Sequence, residues 1–111
     1  MTKSRLELIN SIGEREFNMQ ETLQLLKINA PIFWCWGVSL IKNYKNTVMA
    51  LKVSAMHHKG YVYISLAYND TYTVTIANNR DRVLKTYKEV YFDSLTETID
   101  NHIERIDAYQ K

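Results

Sequence analysis

Apolar spacing divides the chain into three parts. Near the start, Leu6, Ile9 and Ile12 recur at helical steps, and Leu23, Leu25 and Leu26 supply a second apolar side. Ser4-Arg5-Leu6-Glu7 has the form of a capping box, in which a hydroxyl caps the first turn and a carboxylate returns to the cap's own amide. Asn18-Met19-Gln20-Glu21 is a second such start, with Asn as the cap. This predicts helices over about 4–14 and 19–28, or one helix kinked near Gly13. Pro31 biases its predecessor toward extended backbone and closes the segment.

From Ile32 to Phe92 the period shortens and Val, Ile, Thr and Tyr take over, as a pleated surface prefers. Strands are expected at 32–42, 47–58, 61–68, 72–78 and 83–92, separated by the turn residues 43–46, 59–60, 69–71 and 78–81. None of these connections is long enough for a parallel crossover, so the strands form an antiparallel meander. The last segment is helical again: Ser94-Leu95-Thr96-Glu97 caps it, and Leu95, Ile99, Ile103 and Ile106 line one side. The fold class is therefore α+β. A five-stranded antiparallel meander is packed by one or two N-terminal helices and a C-terminal helix, in one domain of 111 residues (1–30 helical, 31–92 sheet, 93–111 helix).

Turn length sets register, and register sets the faces. A four-residue turn at 43–46, a two-residue turn at Lys59-Gly60 and a three-residue turn at 69–71 agree on one apolar face. It carries Trp34, Trp36, Val38, Leu40, Met49, Leu51, Val53, Val62, Ile64, Leu66, Tyr72, Val74 and Ile76. This is the expected core, beneath the helices. The reverse face carries small and hydroxyl-bearing residues, among them Cys35, Gly37, Ser39, Ala50, Ser54, Ser65, Thr73 and Thr75, with Tyr61 and Tyr63 toward its margin.

Composition narrows the function classes. Only four residues are Gly or Pro, and Leu, Ile, Val and Phe are abundant, which excludes linker-like and collagen-like chains. No apolar run approaches the ~20 residues of a membrane span, and the first residues lack a leader pattern, so a soluble, cytoplasmic domain is expected. One cysteine permits no internal disulfide. Net charge is only +2, but residues 31–92 hold eight basic and three acidic side chains, whereas 93–111 hold two and five.

Candidate chemistry is sparse. His57 and His58 are neighbours in a strand and point to opposite faces, so they do not chelate one ion, and no metal site or cofactor is expected. Cys35, between Trp34 and Trp36, reads as a buried, inert thiol. No catalytic pair of carboxylates, phosphate loop or nucleophile elbow is present, and the reading leans away from an enzyme.

Three surfaces remain. The first expected strand is apolar on both faces and lies at a sheet edge, which predicts an interaction or adaptor domain that self-associates or meets another protein. The candidate interface is Phe33, Trp34, Trp36, Gly37, Ser39, Ile41, Val48, Ala50 and Ser54. The basic, Tyr-bearing sheet offers a nucleic-acid face as the alternative, through Lys52, Lys59, Tyr61, Tyr63, Lys85, Tyr87 and Lys88. A small-molecule or enzymatic pocket at Trp34, Trp36, Tyr68 and Tyr72 is the third reading.

Overall fold

A computed structural model describes residues 3–13, 15–27, 30–55, 58–80 and 82–103. The elements run α1 (Lys3–Ile12), α2 (Met19–Lys27), α3 (Ala30–Cys35), β1 (Leu40–Tyr44), β2 (Val48–Ser54), β3 (Lys59–Leu66), β4 (Tyr72–Asn78) and β5 (Val83–Val90). A 3-10 turn (Phe92–Ser94) then leads into α4 (Leu95–Ile103). The sheet is an antiparallel meander in the order β1-β2-β3-β4-β5. No helix among the described residues is long and apolar enough to cross a membrane. Met56, His57 and the residues after Ile103, including the expected stripe position Ile106, lie outside the described residues, as do the side chains of Ser4, Leu6, His102 and Ile103.

Asn18 caps α2 as its sequence indicates. Its side-chain oxygen accepts the amides of Gln20 at 2.9 Å and Glu21 at 3.1 Å, satisfying two of the first-turn donors.

The expected strand over 32–42 is corrected. Residues 30–35 are helical, and only Leu40–Tyr44 joins the sheet. Proline suits a first helical turn, where its missing N–H has no partner to lose. Gly37, at φ +62°, ends the helix and donates to the Trp34 carbonyl. Helical spacing sends Phe33 and Trp36 inward together and Trp34 outward, whereas a strand would have paired Trp34 with Trp36. Phe33 and Trp36 are fully buried with ring centroids 5.6 Å apart, and Trp34 is 64% exposed. Cys35 is likewise exposed rather than buried.

The three turns that set the register of β1 to β4 are also corrected, with different consequences. Ser54 pairs with Lys59, so the β2–β3 loop is 55–58, closed by the Ala55 amide on the His58 carbonyl. Leu66 pairs with Tyr72, so the β3–β4 loop is 67–71. Both shifts are even in register, and the core faces of β2, β3 and β4 are those expected. The β1–β2 turn is the three residues Lys45-Asn46-Thr47, with Lys45 and Asn46 at positive φ. That odd shift inverts β1. Ile41 and Asn43 share the face of Leu51 and Met49, and Leu40, Lys42 and Tyr44 share the reverse face.

The main core lies between the sheet and α2, α3 and α4. Leu26, Phe33, Trp36, Leu95 and Ile99 pack on Met49, Leu51, Val53, Val62, Ile64, Val74 and Ile76. Two polar contacts tie its rim: the Trp36 indole N–H donates to the Asp100 carboxylate at 3.1 Å, and the Thr22 and Tyr72 hydroxyls meet at 2.9 Å. The reverse face has a core of its own. Ile9 of α1, flanked by Leu8 and Ile12, packs on Tyr44, Val48, Ala50, Tyr61, Tyr63 and Ala77. Tyr61 and Tyr63 thus belong to this second core, stacked at 5.9 Å, rather than to a margin.

Candidate interaction surface

The two sheet edges differ. β5 breaks register twice, between Tyr72 and Val74 and between Ile76 and Ala77 of its partner strand, and Glu89 takes φ +56° at the end of the ladder. Bulges, together with exposed Lys85, Lys88 and Glu89, discourage a further strand from pairing there. β1 pairs with β2 in unbroken register, and among the described residues it has no partner on its other side.

Apolar side chains gather along that plain edge. Trp34, Leu40 and Ile41 are exposed there. A groove of ≈ 300 Å³ is lined by Lys27, Phe33, Trp34, Val38, Ser39, Leu40 and Ile41. A second, of ≈ 170 Å³, is lined by Met19, Gln20, Leu23, Ile41, Lys42, Asn43 and Met49. Ile41 is common to both, because the inverted register turns it toward the helix side of the sheet while the strand ends at the rim. Lys27, at the last turn of α2, lies over the rings of Phe33 (5.7 Å) and Trp34 (6.0 Å) and keeps a cation at the groove. On the reverse side Lys42 lies over the Tyr44 ring, and Lys52 pairs across from Leu40. Neither groove has an acidic residue among its lining residues.

Of the candidate interface, Phe33, Trp36, Val48 and Ala50 are buried in the two cores. Trp34, Gly37, Ser39, Ile41 and Ser54 are exposed. Trp34, Ser39 and Ile41 come together in one groove. Val38, Leu40 and Lys27 line the same groove and Lys42 lines the neighbouring one, none of them a candidate interface residue from the sequence. Only the inversion of β1 and the approach of α2 bring them there.

The nucleic-acid set is divided. Lys52 and Lys59 lie on the side of Tyr61 and Tyr63, and those rings are 8% and 0% exposed. Lys85 and Tyr87 lie on the helix side, with the Lys85 ammonium over the Tyr87 ring, and Lys88 is exposed nearby. The pocket set is divided as well. Trp36 and Tyr72 are buried, Tyr68 is exposed in the β3–β4 loop, and Trp34 lines the β1 groove. Tyr72 instead borders an open depression with Glu21, Gln24, Leu25 and Phe92. Among the described residues no three His, Cys, Asp or Glu side chains are placed to hold a metal ion.

His58 is buried, and its Nε2 has no hydrogen-bond partner among the described residues. Burial lowers its pKa below the ordinary 6.5, and hydrogen bonding with the backbone of Tyr61 and Ala77 only partly opposes this. The folded state therefore prefers neutral imidazole. The stability this contributes is complete above pH 6.5 and is lost as pH falls from 6.5 through the lowered folded value, because the unfolded chain takes up the proton first. Denaturant titrations across that range should show wild-type stability declining more steeply than that of His58→Gln. Equal slopes would remove His58 as the cause.

Compared with known proteins, the chain matches no family model, no curated protein and no solved structure.

Proposed function

We propose that the chain is a non-enzymatic protein-interaction domain that docks its partner on the β1 edge and the grooves beside Ile41. One observation carries this reading. Trp34, Leu40 and Ile41 are exposed along a regular sheet edge with no partner among the described residues, while the opposite edge is bulged and charged. A second copy of the chain is one occupant such an edge admits, since two β1 strands can pair antiparallel about a two-fold axis.

Hydrogen exchange on the monomer, prepared at low concentration, tests the reading. The amides of β1 that do not point at β2 should exchange rapidly, and acrylamide should quench one of the two indoles efficiently. Trp34→Phe should remove that quenchable signal. Protection of the whole of β1 in a monomer would mean that the chain covers its own edge, and the surface proposed here would not exist. Sedimentation over a micromolar range tests the second copy: a dimer that Ile41→Lys dissociates identifies it as the occupant.

A further inference from the structure

We infer that the β1 edge takes up an extended, acidic segment of another protein as a sixth strand; this rests on the interaction reading above. The two sides of β1 ask for different side chains. On the helix side, Ile41 lies between two grooves walled by Trp34, Phe33, Leu23 and Met19, which suit apolar anchors. On the reverse side the charged groups are Lys42, which also borders the second groove, and Lys52 across from Leu40. Leu40 lines the first groove at the rim, and Tyr44 is buried. A strand sends alternate residues to alternate faces, so a segment that alternates apolar and acidic residues meets both sides at once. Main-chain hydrogen bonds to the outward groups of β1 would hold it in register. Lys27 at one groove and Lys45 in the adjoining turn add to the same sign of charge.

Charge also discriminates between occupants. A two-fold pairing of β1 with itself duplicates every one of these lysines across the new interface and supplies no carboxylate from either groove lining. An acidic strand removes that repulsion and gains attraction at the same positions. The β5 edge, with its two breaks in register, offers no equivalent site.

The exposed indole of Trp34 provides a readout in the full chain, with Trp34→Phe assigning the signal and Trp36 constant in the core. The probes are synthetic peptides slightly longer than β1. One alternates valine with glutamate, one valine with lysine, and a third is the glutamate peptide methylated at alternate backbone nitrogens. The glutamate peptide should bind about tenfold more tightly than the lysine peptide, as a few partly screened surface pairs allow, and added salt should narrow the gap. Backbone methylation should abolish binding, and Lys42→Glu should shift the preference toward the lysine peptide. Equal binding of the two charged peptides would overturn the acidic preference while leaving the interaction surface standing. Undiminished binding of the methylated peptide would overturn strand addition. If no peptide binds and Ile41→Lys dissociates a dimer, the occupant is a second copy and this inference falls. The hydrogen-exchange experiment separately decides whether the edge is open at all.

Discussion

Replacing Trp36 by alanine should cost about 3–5 kcal/mol, the range for deleting a fully buried aromatic side chain, and should lower the melting temperature by roughly 10–25 °C. The indole has no exposed surface, packs against Phe33 and holds α4 through Asp100. Its removal leaves a void where α3 and α4 meet the sheet and also deprives the Asp100 carboxylate of its donor. Trp36→Phe separates these contributions. Most of the ring contact survives, the N–H is lost, and Asp100 is only half-buried, so water can replace the donor. That variant should cost about 1–2 kcal/mol, at or below the low end for hydrogen bonds to charged groups. Chemical denaturation of both variants would check this. A loss below about 1 kcal/mol for Trp36→Ala would show that the joint between α3, α4 and the sheet is not built around this residue.

Gly37→Ala should cost about 2–4 kcal/mol for two separate reasons. At φ +62° a side chain crowds its own backbone, which costs about 1–2 kcal/mol, and the added Cβ would stand 2.7 Å from the Ser54 carbonyl oxygen. That neighbour is backbone and cannot rotate away. The Ser54 amide in turn donates to the carbonyls of Trp36 and Gly37, so the strain falls on the joint between α3 and the end of β2. Ser39→Ala, two residues on and exposed, should stay within about 0.5 kcal/mol of wild type. Thermal unfolding of the pair provides the comparison. Similar melting temperatures would mean that the α3–β2 contact relaxes freely and contributes little to stability.

The sheet was legible because its punctuation is strong and its errors cancel. Asn69 and Asp70 lie in a loop, and Gly60 stands just past one, inside β3. The register corrections at β2–β3 and β3–β4 are even, so the side chains of β2, β3 and β4 keep their faces. The β1–β2 turn shows how little protects such a reading. Two residues at positive φ and the Asn43–Asn46 side-chain bonds fix a three-residue loop, and that odd shift exchanges Leu40 with Ile41. Residues 30–35 misled for a different reason. Ile, Phe and Trp favour strands in isolation, and tertiary burial of Phe33 and Trp36 overrides that preference. Pro31 and Gly37, at a helix start and a helix stop, were the local signals for the other answer.

The candidate surface was half legible. Trp34 and Ile41 stand out as apolar residues on a strand edge, but the lysines around them come from the end of α2, from β1, from a turn and from β2. No spacing along the chain announces such a group. The sequence shows the excess of basic residues in the sheet segment, and only the fold shows which of them stand beside β1.

The consecutive strand order has a consequence for synthesis on the ribosome. Every ladder joins neighbours in sequence, so β1 to β5 can zip hairpin by hairpin as each emerges, without waiting for distant chain. The lid over the main core is divided differently. α2 and α3 precede the sheet, and α4 is the last described element to leave the exit tunnel, with Trp36 and its partner Asp100 separated by 64 positions. Until that helix arrives, a nascent chain with a finished sheet still shows the apolar surface that α4 covers. How long that surface stays open to holdase chaperones therefore depends on when α4 arrives rather than on the difficulty of forming the sheet.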